Sequence, residues 1–523
     1  MDYPLVPASA KSLADYIEHI FAQFPDNRAY SALGQEITYA EVEQKSRALA
    51  AWLLAEGGLN PGDRIAIQLP NLNQNPIAVY AALRAGLVVV NTNPLYTPRE
   101  MQHQFKDSGA KALIILTDLL PKFEAIKQDT DVTTVVTTQA TDLLTNNMDD
   151  APAGCIAMNH AIKAGMELDL PPRPDVSLDD ICILQYTGGT TGVSKGAALS
   201  HGNVLSNCIQ MLDRLQDNFE EGAEIVICPL PLYHIYAFTV CMMAFFAKGC
   251  LTVLIPNPRD PDAFIKAIEP YQFTTFAGIN TLFVGLGQHP DFQQLDFSKL
   301  KLTLSGGTAL TMAAVDIWKK TTGCMITEGY GLSETSPVLT FNTPGAENLG
   351  SVGTPLIDTD IQLLDDDDQP VADGQEGQIA AKGPQIMQGY WQRPDETAKV
   401  MTSNGYFKTG DVGVRLPDGC IKIVDRLKDL IIVSGFNVYP NEVENVLTQH
   451  PAVVEAAVIG EPDDKTGEKV SAYISVNTEV EEADIVAHCR EQLTAYKVPK
   501  KITIMDELPK SSVGKILRRE LRK

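Results

Sequence analysis

Tyr186-Thr187-Gly188-Gly189-Thr190-Thr191-Gly192-Val193-Ser194-Lys195-Gly196 is the stretch on which the reading of this chain turns. It follows the apolar run Ile181-Cys182-Ile183-Leu184, which reads as a buried strand. Glycines and hydroxyl residues then crowd into a loop that ends in a lysine. Such a loop suits an anion, because glycine lets backbone N–H groups approach it, hydroxyls donate hydrogen bonds and lysine supplies charge. The spacing is not that of a Walker A loop, in which a glycine directly precedes the lysine; here Ser194 precedes Lys195. Alone, the stretch is as readily a surface turn as a phosphate site, and its surroundings decide.

Upstream, helical and strand patterns alternate. Thr38 and Glu41 have capping-box spacing, and Val42, Leu49, Trp52 and Leu53 mark one helical face. Gly57-Gly58 ends that helix, and Pro61-Gly62-Asp63 turns the chain into a strand over 64–69. A helix around 78–84 stops at Gly86, before a strand over 87–90. Thr97-Pro98-Arg99-Glu100 opens a further helix, and a strand over 112–116 follows it. This rhythm predicts an α/β fold with mostly parallel sheets flanked by helices. The region from about Lys122 to Pro174, rich in threonine and asparagine patches, is less regular and ends in Pro171-Pro172-Arg173-Pro174, read as a surface linker.

A chain of 523 residues exceeds one ordinary core, so two or more domains are expected. With 44% hydrophobic and 21% charged residues it reads as globular, and a formal charge of −24 argues against nucleic acid as a partner. Nine scattered cysteines without a C-x-x-C pair point to reduced thiols in the cytoplasm, not to a disulfide framework or zinc site. The N-terminus Met1-Asp2-Tyr3-Pro4 shows no secretory pattern. The uncharged run 235–247 is shorter than the roughly 20 residues of a membrane span and reads as a buried helix. Asp365-Asp366-Asp367-Asp368 reads as a solvated turn between strands.

Further motifs follow. Ser305-Gly306-Gly307-Thr308 again trails an apolar run, and Glu328-Gly329-Tyr330-Gly331-Leu332-Ser333-Glu334 places a tyrosine between glycines, where its ring can face a flat ligand. Glu334 is suited to a cation that bridges phosphates. Asp411, in Lys408-Thr409-Gly410-Asp411, is a two-oxygen acceptor suited to the hydroxyls of a ribose. Each of these, taken singly, is also an ordinary structural turn.

In this order the segments resemble the motifs of the adenylate-forming enzymes, the superfamily of acyl-CoA synthetases, luciferases and peptide-synthetase adenylation domains. The likeness runs from about Leu13 to Arg522 and is nearest to bacterial long-chain fatty-acid–CoA ligases. Asn91-Thr92-Asn93-Pro94-Leu95-Tyr96-Thr97-Pro98-Arg99-Glu100, Pro231-Leu232-Tyr233-His234-Ile235, Ser434-Gly435-Phe436-Asn437-Val438-Tyr439-Pro440 and Leu508-Pro509-Lys510-Ser511-Ser512-Val513-Gly514-Lys515-Ile516-Leu517 carry it.

The resemblance implies an ATP-dependent enzyme of fatty-acid metabolism. A fatty acid and ATP, with Mg2+, would give acyl-AMP and pyrophosphate, and CoA as co-substrate would then give acyl-CoA and AMP. Thr187, Gly188, Gly189, Thr190, Thr191, Gly192 and Lys195 would wrap the phosphates. Gly306, Gly307, Tyr330 and Gly331 would enclose the adenine, and Ser333, where the family usually has threonine, keeps the hydroxyl. Thr190 and Glu334 would hold the magnesium, and Asp411 and Arg426 the ribose. Lys515 would be the adenylation lysine, catalytic together with Glu334 and with His234 at the carboxylate end. Phe238, as an aromatic gate, and Gly278 would belong to the acyl pocket, and Gly435 and Phe436 to the CoA site. Lys428 would be the hinge between an N-terminal ATP- and acyl-binding domain, 1–425, and a small mobile α+β domain, 426–523.

Compared with typical long-chain ligases the part from about Thr141 to Asp175 is short, which bears on membrane contact and on homodimer packing. The resemblance leaves room for peripheral association with the inner membrane face. It also leaves a medium-chain or aryl-acid CoA ligase, acyl transfer to a carrier protein, and a noncatalytic acyl- or nucleotide-binding regulator as alternatives.

Overall fold

The computed structural model describes residues 3–173, 176–187, 194–215, 218–463, 465–511 and 514–522. The alternation of apolar strands and capped helices builds two large sheets. In one, the strands Arg28–Ala32, Leu251–Leu254, Ile225–Cys228, Thr275–Gly278, Leu302–Ser305 and Ile326–Gly331 lie side by side in parallel. Antiparallel partners close both of its ends. In the other, Ile181–Thr187, Val88–Asn91, Arg64–Gln68, Ala110–Leu116, Thr134–Thr138 and Ile156–Ala157 are parallel. Lys195–Ser200 then folds back antiparallel on Ile181–Thr187 and carries the short strand Gly389–Tyr390 at the edge.

The helix signals hold locally. Thr38 and Glu41 make a reciprocal capping box at the start of Tyr39–Ala55, and Thr97 and Glu100 do the same for Pro98–Ser108. Each box satisfies N–H groups that a helix start otherwise leaves without partners. The uncharged run after His234 is helical but wider than an α-helix. Over Ala237–Ala244 it is a π-helix with every residue buried, a form that otherwise occurs as single-turn bulges, often at functional sites.

The region beyond Lys122, irregular in its sequence pattern, holds regular elements. Thr134–Thr138 is a parallel strand with Val135 and Val136 buried, and Met158–Gly165 is a helix that packs Met158, Ala161 and Ile162 inward. Threonine is a good strand residue, and burial of its methyl face outweighs the polarity that makes the patch look like a loop. The aspartate run lies between the strands Asp360–Leu364 and Glu376–Lys382, as a solvated turn should.

Those two strands join Phe407–Arg415 and Ile421–Arg426 in an antiparallel sheet. A short turn, Leu427–Asp429, leads from Arg426 to the last sheet, which begins at Ile431. Here Val453–Asp463 and Gly467–Val476 form the long central pair, and the helices Pro440–Leu447 and Glu482–Gln492 pack on a core of their own. Among the described residues no helix is long and apolar enough to cross a membrane.

Candidate active site

The motif residues gather where parallel strands end. His234 follows Ile225–Cys228, Gly278 closes Thr275–Gly278, Gly306 follows Leu302–Ser305, Tyr330 is near the end of Ile326–Gly331, and Thr187 ends Ile181–Thr187. Carboxyl ends of parallel strands are where open α/β sheets form their ligand crevices.

Thr187 and Lys195 pair directly across two adjacent antiparallel strands, and Ser194 donates its hydroxyl to the Thr187 carbonyl at 2.7 Å. Gly188, Gly189, Thr190, Thr191 and Gly192 lie outside the described residues. The Lys195 ammonium pairs with the carboxylate of Glu396 and sits 5.0 Å from the ring centroid of Tyr390. The hydroxyl of Tyr390 in turn donates to Glu334 Oε1 at 2.8 Å. Glu334 is buried, and burial raises its pKa above the ordinary carboxylate value while the Tyr390 hydrogen bond opposes the rise.

On the other side, a Cβ added to Gly306 would come within 3.4 Å of the Tyr236 ring and 3.5 Å of the Gly329 carbonyl. Gly307 has φ +81° and faces open space. Gly331 has no room for a side chain, since a Cβ would overlap the Pro337 carbonyl at 1.9 Å. Among the described residues, the hydroxyls of Tyr236, Ser305 and Thr308 are buried there without a hydrogen-bond partner. Buried polar groups are rarely left so. Ser333 opens the short turn Ser333–Thr335 that presents Glu334.

Tyr330 donates its hydroxyl to Asp411 Oδ2 at 2.6 Å, and Arg426 Nε lies 3.0 Å from Asp411 Oδ1. Asp411 and Arg426 are register partners on adjacent strands, so the sheet itself sets their pairing. Burial and the Asp411 charge push the Tyr330 phenol well above its usual range.

His234 Nδ1 accepts the Tyr236 N–H at 3.3 Å, which leaves Nε2 as the proton-bearing nitrogen of a neutral ring. Burial, and after it the charge of Lys515, push the imidazole down to about 4, so neutral it stays. Lys515 is itself pushed down to about 7, first by burial, then by Arg426, with Asp411 opposing and Lys428 and Arg518 adding. Lys515 thus shares one electrostatic neighbourhood with His234, Asp411 and Arg426, far earlier in the chain.

Its base is fixed from both halves. Ser511 Oγ accepts the Lys515 N–H at 3.1 Å, and Ser511 N–H donates back to the Lys515 carbonyl at 2.7 Å. Gly514 has φ +76°, and a Cβ there would lie 2.5 Å from Ile279 Cδ1. Arg518 anchors the same segment through Glu444 at 2.9 and 2.7 Å and Asn441 at 2.6 Å.

The remaining expected residues have the following surroundings. Phe238 is fully buried in the π-helix, and a Cβ on Gly278 would lie 2.7 Å from the Phe283 ring, so both stand in tight packing. Gly435, with φ +82°, lies at an exposed hairpin where Phe436 stacks on Tyr496 at 5.0 Å. Lys428 occupies the turn Leu427–Asp429, where burial and then Arg426 push it down to about 8. Tyr390 and Glu396 were not among the expected residues. Their segment, Gly389-Tyr390-Trp391-Gln392-Arg393-Pro394-Asp395-Glu396-Thr397, reads as an ordinary helix start, and only the strand pairing brings it to Lys195.

Comparison with known proteins bears on the family. The pattern of the AMP-binding enzyme family matches residues 17–391, and that of the AMP-binding enzyme C-terminal domain matches residues 442–515. The chain is 43% identical to a long-chain-fatty-acid–CoA ligase of Escherichia coli O6:H1, over 99% of this chain and 95% of that protein. It is 38% identical to the Bacillus subtilis protein of the same name, with the same coverage. The solved structure of an anthranilate CoA ligase in complex with anthranoyl-AMP superposes with a TM-score of 0.91 at 26% identity, covering 100% of this chain and 98% of that one. ATP-bound MatB from Rhodopseudomonas palustris superposes with a TM-score of 0.86 at 30% identity, covering 97% and 98%. Motifs, sheet order and matches together lead to one statement: the chain belongs to the AMP-binding enzyme family, the adenylate-forming enzymes.

Proposed function

We propose that the protein is an ATP-dependent long-chain fatty-acid–CoA ligase that uses ATP, Mg2+ and CoA. The observation that carries this reading is the 43% identity, over 99% of the chain, to a long-chain-fatty-acid–CoA ligase. Nothing favours an aryl-acid ligase, a carrier-protein ligase or a regulator over it.

A carboxylate is a poor acyl donor because its leaving group would be oxide. In the first step a carboxylate oxygen bonds to the α-phosphorus of ATP while the bond to the bridging oxygen breaks, and pyrophosphate leaves with the electron pair. Positioning and charge neutralisation supply most of the acceleration. In the second step the CoA thiolate attacks the acyl carbonyl, and AMP leaves with the electron pair of the broken C–O bond.

Each residue role follows from its surroundings. Lys515, a point charge on a flexible stem, is suited to neutralising the carboxylate and α-phosphate as they approach. Neutral His234 offers an Nε2–H to the acid without giving up its proton. Asp411, held by Tyr330 and Arg426, takes the ribose hydroxyls, and the glycines at 306 and 307 with Tyr330 enclose the base. Lys195 and the hairpin from Thr187 meet the phosphates. Glu334 fits a hard cation, being an oxygen donor buried where its own charge is disfavoured. Glu334, with Thr190 as the second protein donor, would hold Mg2+, which would supply charge neutralisation of the phosphate oxygens.

We further propose a domain boundary after Asp425, with Lys428 as the hinge. Lys515 and the exposed loop at Gly435 and Phe436 both follow that boundary, so rotation exchanges one for the other between the half-reactions. We place the enzyme in the cytoplasm, in keeping with nine free cysteines, with transient contact at the inner membrane face where its substrate partitions. Homodimer formation is part of the same proposal.

A panel of acids from acetate to long chains, with AMP and acyl-CoA both measured, tests the substrate class. Each buried methylene contributes about 0.8 kcal/mol, so apparent affinity should improve steadily with chain length until the site fills. Best activity on acetate or on aromatic acids would remove the long-chain reading.

A further inference from the structure

Glu396 and the phosphates of a nucleotide make the same demand on one ammonium group. Glu396 is the third residue of the helix Pro394–Val400, whose residues are all at least partly exposed. The segment before that helix is bonded to the strand that Lys195 opens. Gln388 N–H donates to the Ala198 carbonyl at 2.9 Å and Trp391 N–H to the Gly196 carbonyl at 2.8 Å. Thr397 Oγ1 then accepts the Tyr390 N–H at 2.9 Å. Backbone pairing therefore sets the distance from Glu396 to Lys195, while the lysine stem stays free to pivot. We propose that Glu396 is a competing counter-ion for Lys195, which a polyphosphate must win from it and which it takes back as pyrophosphate departs. This deepens the ATP-dependent reading and rests on it.

Two details suit an exchange better than a fixed strut. Glu396 is shared between Lys195 and Lys399, so its carboxylate is not left uncompensated when Lys195 moves to phosphate. The pair is also only partly buried, with side-chain exposures of 33% and 31%, so separating it carries no large desolvation penalty. Tyr390 links the exchange to the cation site, because the ring under Lys195 belongs to the phenol that holds Glu334. Glu396 acts through Lys195 and is a positioning residue.

The test is calorimetric binding of magnesium pyrophosphate to the full chain, wild type, E396Q, K195A and the double variant. E396Q should bind pyrophosphate roughly two- to five-fold more tightly, the range open to a partly exposed ion pair, and the KM for ATP should fall by a similar factor. In the K195A background E396Q should change nothing, because the effect runs through the lysine. Weaker binding by E396Q would mean that Glu396 holds Lys195 in its productive pose, and would overturn the proposal. So would an unchanged affinity, or an equal tightening in both backgrounds, which marks a general charge effect. Purely structural damage lowers affinity and melting temperature together, the opposite sign from that expected, and E396A provides a second variant should E396Q fail to fold. A wild-type protein that binds neither magnesium pyrophosphate nor MgATP would overturn the ATP reading and this proposal with it.

Discussion

Tyr330 and Asp411, 81 residues apart in the chain, are joined by a 2.6 Å hydrogen bond from phenol to carboxylate. The bond ties the strand that ends in Gly331 to the antiparallel sheet that carries Arg426. Asp411 is almost wholly buried, so losing a donor leaves its charge poorly satisfied. Tyr330→Phe keeps the ring and removes only the hydroxyl. A hydrogen bond to a charged group contributes about 1.5–3 kcal/mol, and the KM for ATP in the pyrophosphate-release assay should rise roughly ten-fold or more. A change under about two-fold would show that the bond does not order Asp411 for its proposed role toward the ribose.

Glu334→Gln should separate catalysis from stability. Burial raises the Glu334 pKa in the fold, so the ionised form is disfavoured there, and a neutral isostere does not weaken folding. Tyr390 can still donate to the amide oxygen. Adenylate formation should nevertheless fall by roughly 100-fold, since the charge that would hold Mg2+ is gone. Near-normal pyrophosphate release at saturating magnesium would contradict the assignment, and a melting point lowered by more than about 5 °C would point to a structural role.

Lys515 gives a pH dependence with a definite sign. Burial pushes it down to about 7, while the unfolded chain keeps an ordinary lysine value near 10.4. Between those values the unfolded chain binds a proton that the folded chain does not, so this group makes stability rise with pH across that window. Anionic ATP and fatty acid favour the charged lysine, and their binding at pH 8.5 should take up about one proton. Titrations in buffers of different ionisation enthalpy measure that uptake. Lys515→Met should abolish it, and His234, already neutral above about 4, does not contribute.

Lys515 and Lys428 should fail in different half-reactions. Lys515→Ala should block pyrophosphate release from ATP and acid, yet still convert supplied acyl-adenylate and CoA to product. Lys428→Pro, in the turn Leu427–Asp429, fixes φ and removes a backbone donor. It should let adenylate form while thioester formation collapses, provided the melting profile is normal. Equal loss of both half-reactions in both variants would sink the division of labour.

What was legible in the sequence was what depends on neighbours along the chain. The capping boxes at Thr38 and Thr97 and the glycine pair at Gly306-Gly307 follow from local rules, and each stands where its pattern puts it. The strand Thr134–Thr138 was not legible, because its threonines become strand-like only once Val135 and Val136 are buried against parallel neighbours. The width of the helix after His234 was likewise hidden, since a run without charges has no face to set its period. Glu396 was hidden for a third reason: its partner Lys195 is 201 residues away, delivered by an edge strand of only two residues.

Gly514 has a consequence for how accurately the enzyme can aim. A lysine is a poor pointer, since its ammonium rides on four rotatable bonds. At Gly514 two independent constraints meet on one atom: the backbone is left-handed, and the place of a Cβ is already taken by Ile279. The root of the Lys515 side chain is therefore held by bare main chain against the helix start beyond Gly278. Only the stem remains to be settled, and in the proposed mechanism the substrate's own charges would settle it. Any side chain at 514 would act as a wedge at the fulcrum, moving the tip by more than it moves the base.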